Sequence, residues 1–283
     1  MDPSHAGRLL VSCDDRPGLV AIVASFLAGH GGNITDAAQH GEGGRFFMRL
    51  AFDLPADADR DDFAAAVRTM ARAQQLDARL RWSDARPKIA ILVSKQDHCL
   101  RDLLYRSDVG ELPGEVAVVV SNHRDAADPV ERRGLPFVHL PVTPETKAEQ
   151  EAKLAAVVDE HAAEVVVLAR YMQVLSPSLS ERWAGRCINI HHGLLPAFKG
   201  GRPYHQAYDR GVKLVGATSH YVTADLDAGP IIAQDVDVVS HRDTVDDLIR
   251  KGRDLERSVL AAAVRAHLED RILVQDNRAV VFD

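Results

Sequence analysis

An amide, an imidazole and a carboxylate between positions 187 and 234 are the residues best suited to catalysis. Asn189 and His191 lie at the end of an apolar run that starts at Cys187, and alternate residues of a strand share one face. Asp227 follows in the turn signal Asp-Ala-Gly-Pro. Asn can stabilise an oxyanion, His can transfer a proton, and Asp can orient or charge either partner. An isolated Asn-x-His pattern is more typical of a hydrogen-bonded turn, so the surrounding sequence decides.

That surrounding sequence carries a long motif. It contains N-I-H-H-G-L-L-P-A-F, G-G-R-P-Y-H-Q-A, V-G-A-T-S-H-Y-V and L-D-A-G-P-I-I-A-Q. The combination resembles the catalytic core of the folate-dependent formyltransferases and hydrolases. These include glycinamide ribonucleotide formyltransferase, methionyl-tRNA formyltransferase and formyltetrahydrofolate deformylase. The resemblance implies that Asn189, His191 and Asp227 are the catalytic residues and that 10-formyltetrahydrofolate is the substrate, with no further cofactor and no metal.

A second segment, A-R-Y-M-Q-V-L-S at 169–176, resembles the pterin-binding loop of the same family. The resemblance implies that its backbone faces the pterin and that apolar side chains form a wall, although plain packing is the alternative for some of them. His220, on the V-G-A-T-S-H-Y-V strand, is given a supporting role. The predicted folate-binding residues are Arg170, Tyr171, Met172, Gln173, Val174, Leu175 and His220.

Two further loops indicate a branch of the family. S-K-Q-D-H-C-L-R-D-L-L, from Ser94, resembles formyltetrahydrofolate deformylases and lacks the glycines that cradle a phosphate in the glycinamide ribonucleotide enzymes. After the doubled histidine, deformylases usually have Ser-Phe, whereas this chain has Gly193-Leu194. The Leu195-Pro196 bond can be cis or trans. Lys95, His98, His192 and Gly193 are therefore predicted to support the site, with solvated loop residues as the alternative for Lys95 and His98.

Composition narrows the class of protein. The chain has 283 residues, of which 46% are hydrophobic, and a net charge of -7, which argues against a nucleic-acid or anionic-membrane partner. Its three cysteines are widely spaced, which favours a reduced compartment and gives no zinc-ligand spacing. The N-terminus has no signal-peptide pattern, and no apolar run approaches the ~20 residues of a membrane span. These features predict a cytoplasmic protein.

The first part of the chain predicts a ferredoxin-like βαββαβ order. Strands are expected at Arg8 to Cys13, 33–40, 45–53 and 77–82, with one helix from Pro17 and another over 59–74. The D-R-P-G-L-V-A turn and the later G-N-I resemble the ACT regulatory domain, which implies an amino-acid effector and a homo-oligomer. The alternative is that Asp14 and Asp15 cap the helix and the domain only mediates oligomerisation. The effector residues are predicted to be Asp15, Gly18, Leu19, Asn33 and Ile34.

The rest of the chain alternates buried strands with helices, which predicts a doubly wound, mostly parallel sheet. Ligands of such sheets bind at the carboxyl ends of the strands, where Asn189 and His191 lie. Asp97 is expected to cap the first helix. The polar stretch at 83–87 is a plausible linker, so the predicted domains are residues 1–84, ACT-like, and residues 85–283, formyltransferase-like and catalytic.

Three functions fit these features. The first is hydrolysis of 10-formyltetrahydrofolate to formate and tetrahydrofolate, which would supply formate for purine synthesis and balance the one-carbon folate pools. The second is formyl transfer to a small amine, and formate production without amine distinguishes the two. The third is an amino-acid-sensing protein with an inactive catalytic domain, which the intact Asn189, His191 and Asp227 argue against. A metal site at His191, His192 and Asp227 lacks any compact ligand motif.

Overall fold

A computed structural model describes residues 5–197 and 203–283 and divides the chain into two compact units. The first unit comprises residues up to Ala85 together with Asp270–Leu273 and Val281–Asp283. The second comprises Arg86–Glu269 and Val274–Val280. The first unit thus includes two C-terminal segments, which the linear boundary after residue 84 leaves out.

The first unit has the predicted ferredoxin-like order. Its elements are β1 (Ala6–Asp14), α1 (Leu19–Gly29), β2 (Asn33–Glu42), β3 (Arg45–Asp53), α2 (Arg60–Ala73) and β4 (Asp77–Trp82). The strands form an antiparallel sheet in the order β2-β3-β1-β4. Apolar residues at helical spacing on α1 and α2, such as Val23, Leu27 and Phe63, are buried in one cluster with the inner face of the sheet.

The start of α1 differs from the prediction. The helix begins at Leu19, and its N-cap is Gly18 with a φ of 91°, so Pro17 precedes the helix instead of occupying its first turn. No side chain caps α1, and Asp14 instead forms an ion pair with Arg45. A left-handed residue at this position is easiest for glycine, which explains why the chain turns here. The alternative in which Asp14 and Asp15 cap the helix is therefore wrong in that respect.

The second unit contains a seven-stranded sheet in the order β11-β10-β9-β8-β5-β6-β7. Its elements are β5 (Lys88–Val93), α3 (His98–Asp108), β6 (Glu115–Ser121), α4 (Ala127–Glu131), β7 (Phe137–His139), α5 (Lys147–Glu160), β8 (Val165–Leu168), α6 (Pro177–Arg182), β9 (Cys187–His191), α7 (Pro203–Asp209), β10 (Leu214–Tyr221), β11 (Ile231–Val238) and α8 (Val245–Leu268). β5 to β9 pair in parallel, and β10 and β11 are antiparallel to their neighbours. The α/β fold class is confirmed.

Most of these helices follow from their sequence signals, whereas the cap of α3 and two short helices differ from the prediction. Thr244 and Asp247 form a capping box at the start of α8. Asp97 occupies the N-cap of α3 but makes no cap hydrogen bond, because its carboxylate accepts from Arg101 instead. The short helices α4 and α7 were not predicted, since a run of five to seven residues carries little periodicity. A hairpin of β12 (Ile272–Gln275) and β13 (Arg278–Val281) closes the chain, as expected.

The sheet brings the predicted loops to one edge. β8 lies between β5 and β9, and all three run in the same direction. The segments that leave their carboxyl ends therefore emerge side by side: the loop from Ser94, the loop from Ala169 and the turn after His191. Among the described residues, every helix is too short or too polar to cross a bilayer.

Candidate active site

The pairing of β9 with β10 places one polar residue of β10 opposite each of the two candidate catalytic residues of β9. His220 is in register with Asn189, and Thr218 with His191. The Nδ1 atom of His220 lies 2.8 Å from the Tyr221 carbonyl, so it carries the proton and donates to that oxygen. Nε2 of His220 can then accept from the Asn189 amide, which lies 3.2 Å away. The supporting residue His220 thus orients the Asn189 side chain.

Asp227 completes the group from the connection between β10 and β11. Its Oδ2 atom lies 3.2 Å from Nδ1 of His191, and its Oδ1 atom lies 3.6 Å from Nε2 of His220. Asp227 has a φ of 52°, in the left-handed region that Asp tolerates better than most residues. The chain turns sharply there, and the carboxylate faces back toward β9. The amide, imidazole and carboxylate therefore meet, as the sequence predicted.

The electrostatic environment keeps Asp227 ionised. Burial acts to raise the pKa of Asp227, but the hydrogen bond from His191 and the nearby imidazole of His220 outweigh it and hold the pKa below its ordinary value. The carboxylate is therefore negative throughout the neutral range, where it can stabilise an imidazolium. Because the folded-state pKa is lowered, this group's contribution to stability is present above the ordinary pKa and is lost as pH falls through the lowered one.

His191 has one nitrogen engaged and one without a partner. Nδ1 faces Asp227, whereas the buried Nε2 has no hydrogen-bond partner among the described residues. Buried polar atoms in proteins are almost always hydrogen-bonded, and exceptions concentrate at functional sites. In the imidazolium form, Nε2 carries a proton that a substrate oxygen can accept.

These side chains form part of the wall of a cavity of about 290 Å³. The predicted folate residues from Arg170 to Leu175 and His220 all line it, together with Asn189, His191, His192 and Asp227. Another part of the lining was not predicted, and it consists of the segment that leads into Asp227. That segment comprises Val222, Thr223, Ala224, Asp225 and Leu226. Its only sequence signal was its position directly before the Asp-Ala-Gly-Pro turn.

The loop that follows β8 is fixed by contacts of both backbone and side chains. The buried Ser94 hydroxyl accepts from the Met172 amide at 3.0 Å and donates to the Asn122 side chain at 2.7 Å. The Tyr171 hydroxyl accepts from Gln150 at 2.8 Å. Met172 is left 56% exposed, which suits a residue whose apolar side chain faces a ligand. Contacts within the protein therefore fix the shape of the loop, and small-molecule sites are usually pre-formed in this way.

Replacing Ser94 with Ala tests that contact. We expect KM for the folate substrate to rise about tenfold, because losing one buried hydrogen bond costs about 1–2 kcal/mol and frees the Met172 amide. We expect kcat to change little, since Ser94 touches none of Asn189, His191 and Asp227. Steady-state kinetics measure both values, and Ser178→Ala on an exposed surface serves as the control. An unchanged KM would show that the loop holds its shape without Ser94.

The four residues predicted to support the site have different surroundings. Lys95 is exposed and does not line the cavity. Nε2 of His98 donates a hydrogen bond to Glu256, 2.8 Å away. The His192 ring stacks on His191 with centroids 5.4 Å apart, and burial and then the charge of Arg170 lower the pKa of His192 to about 4.

Gly193 lies at the start of the turn after His192 and accepts a hydrogen bond from the Thr218 hydroxyl at 2.8 Å through its carbonyl. The Leu195–Pro196 bond in the same turn is cis. Residues 198–202, which belong to the predicted loop, lie outside the described residues.

The predicted effector residues of the first unit do not form one group. Asp15, Gly18 and Leu19 line a cavity together with Gln39 and His40 at the far end of β2. Asn33 and Ile34 begin β2, and a strand rises about 3.3 Å per residue, so they lie about 20 Å away. The two sets of residues therefore lie at opposite ends of one strand, and their role in binding an effector stays a prediction.

Comparison with known proteins shows which families the two parts of the chain match. Residues 87–264 match the model of the formyl transferase family, and residues 7–71 match the ACT domain. These matches define the class: an ACT domain followed by a formyl transferase domain.

Relatives of the whole chain are more specific. The chain is 47% identical over 281 residues to the formyltetrahydrofolate deformylase of Bacillus subtilis, which covers 98% of this chain and 94% of the relative. It is 41% identical to that of Escherichia coli K12, covering 95% and 96%. The crystal structure of a deformylase from Pseudomonas syringae aligns with a TM-score of 0.95 at 49% identity, covering 98% of this chain and 94% of that one. This chain belongs to the formyltetrahydrofolate deformylase family.

A transferase aligns less completely. Glycinamide ribonucleotide transformylase 1 from Symbiobacterium toebii matches with a TM-score of 0.66 at 33% identity, covering 70% of this chain and 95% of that one. The transferase therefore shares the formyl transferase part of the fold and leaves nearly a third of this chain without a counterpart.

Proposed function

We propose that this protein hydrolyses 10-formyltetrahydrofolate to formate and tetrahydrofolate, and that Asn189, His191 and Asp227 carry out the reaction. The observation that carries the proposal is the convergence of these three side chains in the lining of a cavity that the predicted pterin loop also lines. The high identity to deformylases along nearly the whole chain supports the same conclusion.

The reaction follows from the positions of the donors and acceptors. A water oxygen attacks the formyl carbon and loses a proton to the Asp227–His191 pair. The carbonyl oxygen becomes an oxyanion, which the Asn189 amide and the protonated Nε2 of His191 stabilise. Each such donor is worth roughly 2.7–4 kcal/mol in the transition state. The intermediate then collapses and the bond from carbon to N10 breaks. The proton that the pair took from water is returned to N10, and the formic acid formed loses its proton to solvent and leaves as formate.

Formate release in the absence of any amine tests the proposed reaction. We expect the purified protein to convert 10-formyltetrahydrofolate completely to formate and tetrahydrofolate, with one oxygen of formate derived from isotopically labelled water. Enzymatic formate assay and mass spectrometry give both results. If formate appeared only when an amine was added, or a formylated amine were the main product, the protein would be a transferase. If neither formed, the catalytic domain would be inactive.

We also propose that the first unit binds an amino-acid effector. The support is the cavity beside Gly18, where no side chain caps α1 and the free backbone N–H groups of its first turn can hold a carboxylate. Calorimetric titration with single amino acids tests this, and no binding by any of them would contradict it.

We further propose a homo-oligomer in the cytoplasm that needs no metal or cofactor. β2 is an exposed edge strand, which is a common surface for subunit pairing. Cys13, Cys99 and Cys187 are free and buried, which suits a reducing compartment. The charges that the reaction requires come from Asp227 and His191. Sedimentation analysis tests the assembly, and full activity after chelation and dialysis tests the metal-free reaction.

A further inference from the structure

A buried carboxylate outside the proposed catalytic group joins three segments of the second unit. The Glu256 side chain, on α8, is 2% exposed. Its Oε1 atom accepts from the Tyr204 hydroxyl at 2.8 Å. Its Oε2 atom lies 2.8 Å from Nε2 of His98 and 3.4 Å from Nε of Arg170. These partners come from α7, α3 and the loop that follows β8.

Helix α8 has a surface shaped for one of these partners. A Cβ atom added to Gly252 would lie 2.0 Å from Cζ of Tyr204, so only glycine leaves room for the phenol ring. Gly252 and Glu256 are four residues apart and therefore share one face of the helix. The glycine admits the Tyr204 ring, and the carboxylate binds its hydroxyl.

The charges of this cluster are matched inside the protein. The Arg170 side chain is 9% exposed, and its charge has Glu256 as the buried counter-charge. Burial acts to raise the pKa of Glu256, but the hydrogen bond from His98 and the charge of Arg170 outweigh it and lower the pKa. Removal of one partner of a buried ion pair leaves an uncompensated buried charge, which is strongly unfavourable.

The same atoms could be considered as metal ligands, since those of His98, Cys99 and Glu256 lie within 4.8 Å of one another. The arrangement favours an ion cluster instead. The guanidinium of Arg170 beside Glu256 repels a cation, and burial raises the pKa of the Cys99 thiol, which opposes thiolate formation. Both carboxylate oxygens of Glu256 already accept hydrogen bonds.

The cluster touches the folate cavity at two points. Arg170 is the first residue of the loop that lines the cavity, has a φ of 65°, and its carbonyl accepts from the Ser94 amide at 3.2 Å. The Tyr204 ring lies 6.3 Å from the ring of His192, another lining residue. A side chain that fixes both Arg170 and Tyr204 therefore fixes part of the cavity wall.

We propose that Glu256 is a positioning residue of the folate site, which holds the substrate-binding wall in place through Arg170 and Tyr204. The inference rests on the proposed function, because it assigns Glu256 to the binding step of that reaction. Among the described residues, the hydrogen bonds and ion pair of Glu256 reach Tyr204, His98 and Arg170, and none reaches Asn189, His191 or Asp227. Loss of Glu256 therefore acts on substrate binding more than on the chemical step.

The Glu256→Gln variant tests this, since it keeps the shape and removes the charge. We expect KM for 10-formyltetrahydrofolate to rise at least about tenfold, because hydrogen bonds to charged groups are among the stronger ones, while kcat stays within about threefold. The Kd for tetrahydrofolate, measured by calorimetry, should rise by a similar factor. Asp254→Asn, an exposed carboxylate on the same helix, is the matched control and should leave both values unchanged.

Several results would overturn the inference. A merely structural role would lower the amount of folded enzyme, and hence apparent kcat, with KM and Kd unchanged. Elemental analysis is the second check. One metal ion per molecule of wild-type protein, absent from Glu256→Gln, would mean that Glu256 is a metal ligand and not a member of an ion cluster. If circular dichroism shows that Glu256→Gln does not fold, His98→Gln and Tyr204→Phe replace it. Each should raise the Kd for tetrahydrofolate about threefold, and an unchanged Kd in both would overturn the inference.

Failure of the proposed function gives a different result. In that case, wild-type protein would release no formate, whereas the calorimetric Kd values would still report whether Glu256 shapes the folate cavity.

Discussion

Replacing Asp227 with Asn is expected to lower kcat for formate release by about 10³-fold or more, with tetrahydrofolate binding retained within about threefold. Asn has nearly the same shape but carries no charge, so it cannot stabilise an imidazolium at His191 or accept a proton from the attacking water. The carboxylate lies 3.2 Å from Nδ1 of His191, which makes this loss direct. Stopped assays of formate give kcat, and calorimetry gives the affinity for tetrahydrofolate.

Asp235→Asn provides the matched control for this variant. Asp235 is an exposed carboxylate on β11, eight positions after Asp227, and does not line the cavity. It should leave kcat unchanged. If Asp227→Asn weakened tetrahydrofolate binding as much as it lowered kcat, Asp227 would be a binding residue without a chemical role.

A second large effect is expected from replacing Gly229 with Ala. A Cβ atom at this position would lie 1.9 Å from the Tyr221 carbonyl oxygen, a backbone atom that cannot simply rotate away. The turn that carries Asp227 must therefore shift. A displacement of about 1 Å at a catalytic group can cost about 10²-fold in rate, so we expect kcat to fall by at least that factor.

Gly29→Ala is the control for this variant, because a Cβ at Gly29 meets no atom within 4 Å and its backbone needs no positive φ. Kinetics and thermal melting of both variants separate a local shift from loss of folding. Wild-type kcat in Gly229→Ala would mean that the turn can move without displacing the carboxylate, which would remove the steric argument for the geometry of Asp227.

The fold was predictable because its signals are local. The buried strands of the second unit, such as 89–93 and 165–168, are continuous apolar runs, and such runs between helical patterns define a parallel sheet. The convergence of Asn189, His191 and Asp227 was also predicted, since the first two alternate on one strand and the third lies in a recognisable turn. The resemblance to a family supplied their roles, which remain proposals.

Features that depend on long-range packing were not predictable in this way. Glu256 lies in an ordinary helical pattern, and nothing in its neighbourhood in the sequence indicates that Tyr204 and Arg170 surround it. Ser94 has no motif of its own, although it fixes the backbone of Met172. Asn33 and Asp15 are both predicted effector residues because both lie in ACT-like signals. Only the register of β2 shows that they lie near opposite ends of that strand.

The most direct test of the whole account is a crystal structure of the Asp227→Asn variant soaked with 10-formyltetrahydrofolate. We expect the pterin in the cavity bordered by 170–175, with the formyl oxygen within hydrogen-bonding distance of both the Asn189 amide and Nε2 of His191. A formyl group bound away from these two atoms, in a protein that still hydrolyses the folate before mutation, would contradict the proposed mechanism.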